Sequence, residues 1–131
     1  MTRYAVDPVA LLDLARTSPH MLAEHQLVAP HSLRSLALEL LLSDVAAGKI
    51  SEREALEVHD RLTAIKVRLL GDRVSRRMAW KVAREHGWTT LSRAEYIAVA
   101  MLQADFLIAG DPDLRKAAKA HVELATLTEL E

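Results

Sequence analysis

The chain has 131 residues, of which 50% are hydrophobic but only 4% aromatic, and it contains no cysteine. The 22 leucines and 21 alanines, with only 4 glycines and 4 prolines, predict one helix-rich domain over residues 1–131. Disulfides and thiolate metal sites are excluded. No apolar run reaches the roughly 18 residues needed to cross a bilayer, so we expect a cytoplasmic protein with no membrane partner.

The first half of the chain predicts two strands and three helices. A β-prone run at 3–7 ends in an acid, and Pro8 opens a helix to about residue 15, broken at Thr17-Ser18-Pro19. A short apolar run at 26–29 predicts the second strand. Helices follow over 31–47 and from Ser51 to about residue 66, the first ended by Gly48 and the second opened by a Ser-x-x-Glu capping box.

The second half continues the alternation of strands and helices. We predict a strand at 67–70, a helix from Asp72 or Ser75 to about residue 86 with Gly87 as its stop, and a helix over 91–102. A strand at 105–109, a helix over 114–120 and a final strand at 122–127 complete the chain. This order predicts an α/β fold with a mostly parallel sheet covered by helices on both faces.

Two of the predicted strands are followed by an acid. Asp7 ends the first run, and Asp111 follows the strand at 105–109. Chemistry on parallel sheets collects beyond the carboxyl ends of the strands, which makes these two acids candidate site residues. Aspartate also caps helices that follow strands, and this alternative stays open.

Several segments carry, in order, one resemblance to a known family. Tyr4-Ala5-Val6-Asp7 looks like the first strand and first acid of the PIN domain, the nuclease fold of VapC-type bacterial toxins. Leu27-Val28-Ala29-Pro30 with the following helix and Ala47-Gly48-Lys49-Ile50-Ser51 is similar to its second strand, second helix and interhelical turn. The stretch from Glu95 to Asp111 is similar to its late helix, strand and last acid. The resemblance covers nearly the whole chain and implies a short parallel sheet between two helical layers.

The resemblance also implies a function. PIN nucleases gather about four carboxylates that hold Mg²⁺ or Mn²⁺, and the metal activates water against an RNA phosphate. It therefore implies a metal-dependent endoribonuclease, the toxin of a toxin–antitoxin pair. Asp7 and Asp111 match the first and last acids and are the expected metal ligands.

Two of the four acidic positions depart from the family pattern. The second is Leu36, and the nearest carboxylate, Glu39, lies one helical turn further on. Glu39 is thus a candidate shifted ligand or base, or an acid paired with Arg34. The third position is Arg93, and Glu95, two residues along, points to a different side. Glu95 is a weak fourth candidate or an ordinary surface glutamate.

These departures leave a second function open. An arginine among carboxylates repels a metal and can take its place as counter-charge. The alternative is a degenerate PIN-like domain with weak or no nuclease activity, acting as an RNA- or protein-binding module. A structural α/β domain of unrelated role is a third alternative.

The net charge of −1 conceals a separation of charges. Residues 66–93 contain 8 bases and 2 acids, a balance of +6, which leaves −7 for the rest of the chain. Five of these bases share one helical face, and with Arg93 they predict contacts to RNA phosphates: Arg73, Arg76, Arg77, Lys81 and Arg84. The alternatives are a solvated face with Trp80 packed inward, or a site for an acidic antitoxin segment.

The second and third predicted helices are rich in leucine. Their apolar surface predicts either a homodimer contact or packing against the core alone.

Overall fold

A computed structural model describes residues 1–17 and 25–130 of the chain, which form a four-stranded sheet, six α-helices and one short 3₁₀ helix. The strands are β1 (Thr2–Val6), β2 (His25–Pro30), β3 (Arg68–Leu70) and β4 (Phe106–Ile108). The helices are α1 (Pro8–Thr17), α2 (Leu33–Ala46), α3 (Glu52–Ala64), α4 (Arg73–Glu85), α5 (Ser92–Gln103) and α6 (Pro112–Ala118), and the 3₁₀ helix spans Leu127–Leu130.

The sheet is parallel throughout, in the order β3-β2-β1-β4. The chain moves outward from β1 through β2 to β3 and then returns to place β4 on the other side of β1. The strand order therefore reverses between β1 and β4, and such a reversal opens a crevice at the carboxyl ends of the two strands. Val6 pairs with Ile108, so both strands end at the same level, below Asp7 and the loop that carries Asp111.

Helices cover both faces of the sheet. On one face α1 packs against α2 and α3, and on the other α4 packs on α5, which lies against β1, β2 and β4. Right-handed crossovers between parallel strands require this division. Among the described residues, the fully buried core is aliphatic apart from Tyr4 and Tyr96. The predicted α/β fold, with a short parallel sheet between helical layers, is confirmed.

Most helix ends lie where the sequence predicts them. Gly48 and Gly87 end α2 and α4 with φ of 73° and 69°, a conformation that favours glycine. The Ser51 hydroxyl accepts a hydrogen bond from the Glu54 N–H at 3.1 Å, as the predicted capping box requires. At the start of α4, Asp72 is the N-cap and exchanges hydrogen bonds with Ser75, which decides between the two predicted starts.

The predicted final strand at 122–127 is wrong. Only Leu124 pairs with Leu107 on β4, through hydrogen bonds from the Leu107 N–H to the Glu123 carbonyl and from the Ala125 N–H to the Leu107 carbonyl. The chain then turns into the 3₁₀ helix. Alternating apolar residues predicted a strand, but β4 is only three residues long and offers little edge to pair with.

The sequence predicts a helix break at Thr17-Ser18-Pro19. Of these three residues, Ser18 and Pro19 lie outside the described residues. Within the described ranges, no helix has both the length and the apolar character needed to span a membrane.

Candidate functional site

An open pocket of about 640 Å³ lies at the crevice between β1 and β4. Its walls come from the start of α1, one side of α2, the first turn of α5 and the loop before α6. The lining residues are Asp7, Pro8, Val9, Leu36, Glu39, Leu40, Ser43, Thr90, Ser92, Arg93, Tyr96, Asp111 and Leu114. The pocket therefore contains three of the four predicted acids and the arginine that departs from the family pattern.

Asp7 lies at the bottom of the pocket and is completely buried. Its Oδ1 accepts hydrogen bonds from the Ala10 and Gly110 N–H groups at 2.7 and 2.9 Å, and its Oδ2 accepts one from the Asp111 N–H at 2.9 Å. The carboxylate thus caps α1 and ties it to the loop after β4.

Gly110 allows this close approach of the loop to α1. A Cβ at position 110 would lie 2.7 Å from the Val9 Cγ1 and 2.8 Å from the Ala10 nitrogen, both far inside van der Waals contact. Only glycine therefore lets the loop donate its N–H group to Asp7.

Burial raises the pKa of Asp7 above its ordinary value, because the charged form loses its hydration. The three backbone hydrogen bonds favour the carboxylate and oppose the effect of burial, while the negative charge of Asp111 adds to it. An acid in this position is costly to ionise and has its lone pairs largely engaged.

Arg93 neutralises Asp111, the other acid that follows a strand. Its Nε donates a hydrogen bond to the Asp111 Oδ2 at 2.9 Å, and its Nη2 lies 3.6 Å from the Asp113 Oδ2. The hydrogen bond to Asp111 raises the pKa of the guanidinium, so Arg93 stays charged at any ordinary pH. The other carboxylate oxygen of Asp111 accepts the Asp113 N–H at 3.2 Å and caps α6.

Both strand-end acids therefore cap the helix that follows them, the alternative that the sequence left open. The Arg93 guanidinium stands in the pocket where the family pattern expects a carboxylate. Its predicted role, contact with an RNA phosphate, would require it to leave two aspartates.

Glu39 lines the pocket from α2 and is exposed, with no ion pair to any residue in the described ranges. Arg34, the partner considered for it, instead donates a hydrogen bond to the Ile65 carbonyl at 3.1 Å. Leu36 lies on the same wall and presents an apolar side chain to the pocket. Glu95 is half-buried in the first turn of α5 and does not line the pocket.

Tyr96 is a pocket residue that the sequence did not single out as functional. Its side chain is almost fully buried, and its hydroxyl lies 3.4 Å from the Ser32 Oγ. Burial raises its pKa to about 12, so it remains a neutral donor or acceptor in the pocket wall. The sequence offered no signal for this role, because a tyrosine within an apolar helix is typical of the core.

The pocket residues do not fit a resident Mg²⁺ or Mn²⁺ ion as they stand. Asp7 is engaged by three N–H donors, and Asp111 is engaged by a cation. Across residues 1–17 and 25–130, no three histidine, aspartate or glutamate side chains are grouped so that they could hold a metal. A divalent ion prefers several free oxygen ligands, which this arrangement does not offer.

The second candidate site is the outer face of α4, which we call the basic face. Its five cations are all exposed, and none has a carboxylate within 4 Å in the described part of the chain: Arg73, Arg76, Arg77, Lys81 and Arg84. The opposite face of the helix is buried through Ala79, Val82 and Ala83. Trp80 does not pack inward, because 65% of its surface is exposed.

Comparison with known proteins bears on the fold. No protein-family model and no curated protein matches the sequence. The chain is similar to the crystal structure of PAE2754 from Pyrobaculum aerophilum, with a TM-score of 0.73 and 22% sequence identity, over 94% of this chain and 89% of that one. At this level of identity the likeness supports the arrangement of strands and helices only.

Proposed function

We propose that this protein is an RNA-binding module with a PIN-like fold, in which the acidic pocket has lost efficient nuclease activity. This is the second of the two functions that the sequence left open. RNA is held on the basic face of α4, and the two strand-end acids of the pocket, Asp7 and Asp111, stabilise the fold by capping helices.

The observation that carries the proposal is the contrast between two sets of cations. Arg93 is neutralised by Asp111 in the pocket wall and by the exposed Asp113 beside the pocket. None of the five cations of the basic face has a carboxylate within 4 Å in the described residues, and only Arg76 feels the charge of a neighbouring acid, Asp72, so most of their charge is available to a polyanion. Unpaired arginines in a row along one helix are typical of phosphate binding.

The same contrast weighs against the endoribonuclease. Catalysis would require Arg93 to release Asp111 and a metal to replace the guanidinium. The hydrogen-bonded ion pair opposes this exchange, because each departing charge leaves the other without this partner. Glu39 supplies one free carboxylate at the pocket wall, and a single such ligand binds Mg²⁺ weakly.

Three further points complete the proposal. Leu38 and Leu42 on α2 and Leu56 on α3 are 38%, 67% and 53% exposed, and we propose that these leucines contribute to a homodimer contact. An RNA partner implies a cytoplasmic location. An antitoxin with an acidic segment would compete with RNA for the basic face.

The proposal is tested by the affinity of the protein for a labelled single-stranded RNA, measured by fluorescence anisotropy. We expect Arg76→Gln/Arg77→Gln to weaken binding by about ten-fold or more, since two phosphate contacts are lost. Arg53→Gln/Arg61→Gln on α3 is the matched control, because it removes the same charge from exposed positions elsewhere. The control should bind RNA nearly as the wild type does.

If both double variants lose the same affinity for RNA, the loss comes from the change in net charge, and a specific role of the basic face is contradicted. Absence of RNA binding by the wild type would reject the proposal altogether. Displacement of RNA by an acidic polypeptide with the same dependence on Arg76 and Arg77 would favour a protein partner.

A further inference from the structure

Trp80 lies in the middle of the basic face. With about 100° per residue, Arg76 and Arg77 lie about one turn below the indole, and Arg84 lies one turn above it. The cations are therefore spaced on both sides of an aromatic ring, about 6 Å away along the helix axis. A polyanion that follows the helix meets positive charge before and after the indole.

No packing role accounts for a tryptophan here. Its side chain is 65% exposed, while the inner face of α4 is formed by small side chains and Val82. No aromatic ring stacks on Trp80 in the described chain, whereas Trp88 is half-buried and stacks on His86 with ring centroids 4.7 Å apart. Exposing a large indole to water is unfavourable, and tryptophan is enriched at binding surfaces for that reason.

We infer that Trp80 is a stacking platform for an unpaired base, so the RNA held on the basic face is single-stranded. This inference rests on the proposed RNA-binding function and names its substrate class. Every base has a π-face, so stacking on the indole adds affinity without reading sequence. In a duplex the bases already stack on one another and their faces are closed to the protein.

An acidic protein segment would fit the same charges less well. Its carboxylates would pair with the arginines, but nothing in its chemistry requires the indole between them. The central position of Trp80 among the cations favours single-stranded RNA, because its phosphates can contact the cations while a base stacks on the indole.

The chain has only two tryptophans, which makes the test direct. Trp88→Phe leaves Trp80 as the only indole, and Trp80→Phe leaves Trp88. On titration with oligouridylate, we expect the fluorescence of the Trp88→Phe protein to be quenched at the concentration at which RNA binds, and that of the Trp80→Phe protein to change little.

Affinity supplies an independent measure. Trp80→Ala should bind oligouridylate about ten-fold more weakly, the loss expected for one base–aromatic stack, and Trp80→Phe should retain part of the affinity. A duplex RNA of the same length should compete poorly with the single strand. Circular dichroism checks that the variants fold, which the exposed position of Trp80 favours.

The outcomes separate this inference from the function on which it rests. If Trp80→Ala binds as the wild type while Arg76→Gln/Arg77→Gln does not, RNA binding stands and the stacking platform is rejected. Equal affinity for duplex and single strand would also overturn it. If the wild type binds neither RNA, the proposed function itself fails. If polyglutamate quenches Trp80 as strongly as oligouridylate does, the surface fits an acidic protein and the inference is wrong.

Discussion

At the end of β1, the Asp7 carboxylate accepts three backbone hydrogen bonds, and its loss would leave one buried and two partly buried N–H groups without this acceptor. Leaving such a group without a partner costs about 1–3 kcal/mol, so we expect a large fraction of the Asp7→Ala molecules to be unfolded. Loss of function in that variant would say little about catalysis. Asp7→Asn is more informative, because the amide oxygen can keep the two hydrogen bonds at Oδ1.

The pH dependence of stability tests the buried state of Asp7. Its pKa is raised in the folded protein, so between the ordinary value of 3.8 and the raised value the folded state holds a proton that the unfolded chain has released. Ionisation of Asp7 therefore removes stability as pH rises through this interval. We expect the free energy of unfolding of the wild type, minus that of Asp7→Asn, to fall from pH 4 upward in urea titrations. A difference that grows with pH would contradict a raised pKa.

Arg93 is the residue that decides between the two interpretations of the pocket. Arg93→Asp removes the counter-charge and adds the carboxylate that the PIN pattern expects, so we predict that Mn²⁺ binds about ten-fold more tightly or better than to the wild type. Isothermal titration calorimetry measures the gain. Arg93→Gln removes the charge without adding a ligand, so its affinity for Mn²⁺ should lie between that of the wild type and that of Arg93→Asp. Because this ion pair is partly exposed, neither change should cost more than about 1 kcal/mol of stability.

A wild-type protein that already binds Mn²⁺ as tightly as Arg93→Asp would show that the guanidinium does not block the pocket.

Among the elements, the two glycines next to the candidate sites test different physical constraints. Gly87 follows α4 at φ 69°, and a methyl group on its Cα would have no neighbour within 4 Å in the described chain. Gly87→Ala should therefore cost only the backbone strain of about 1 kcal/mol. Gly110→Ala should cost clearly more, because its methyl would collide with Val9 and the Ala10 nitrogen. Urea unfolding compares them, and equal losses would contradict the close approach of the loop to α1.

Periodicity and capping signals were sufficient to predict most elements. The strands before Asp7 and Gly110, and the helix stops at Gly48 and Gly87, follow from local chemistry that the tertiary structure did not override. The strand predicted at 122–127 failed because pairing depends on the length of the neighbouring strand, which a local pattern does not contain.

The candidate site was predictable only in part. The predicted strand ends singled out Asp7 and Asp111, and the resemblance to the PIN family singled out Glu39 and Arg93. The structure places all four at one pocket, but neither argument could reveal that Asp7 is engaged by backbone donors or that Arg93 pairs with Asp111. Both facts depend on contacts between residues that are far apart in the chain. The orientation of Trp80 was equally undetermined, because an amphipathic helix predicts which side is buried only approximately.

For the whole molecule, the near-zero net charge is a sum of opposite regions. The stretch 66–93 carries +6, and most of its positive charge lies on the unpaired basic face, while Arg93 is neutralised in the pocket. Under the proposed function, RNA would meet a positive surface on a protein that is otherwise acidic. This charge distribution would orient the RNA toward α4 and away from the rest of the molecule.

Salt dependence measures how many of these cations act together. For single strands, each neutralised phosphate contributes about −0.7 to the slope of log K against log salt concentration, so five contacts predict a slope of about −3.5. Arg76→Gln/Arg77→Gln should reduce its size by about 1.4. A slope near zero in the wild type would show that the basic face does not contact the RNA backbone.

Binding without cleavage is the property that separates the RNA-binding module from the nuclease, and it is measured on an end-labelled single-stranded RNA incubated with saturating protein and Mn²⁺. We predict that the RNA is bound, as seen by its retarded migration on a native gel, and that it remains intact on a denaturing gel. Cleavage that requires Mn²⁺ and disappears in Asp111→Asn would contradict the proposed function and restore the endoribonuclease.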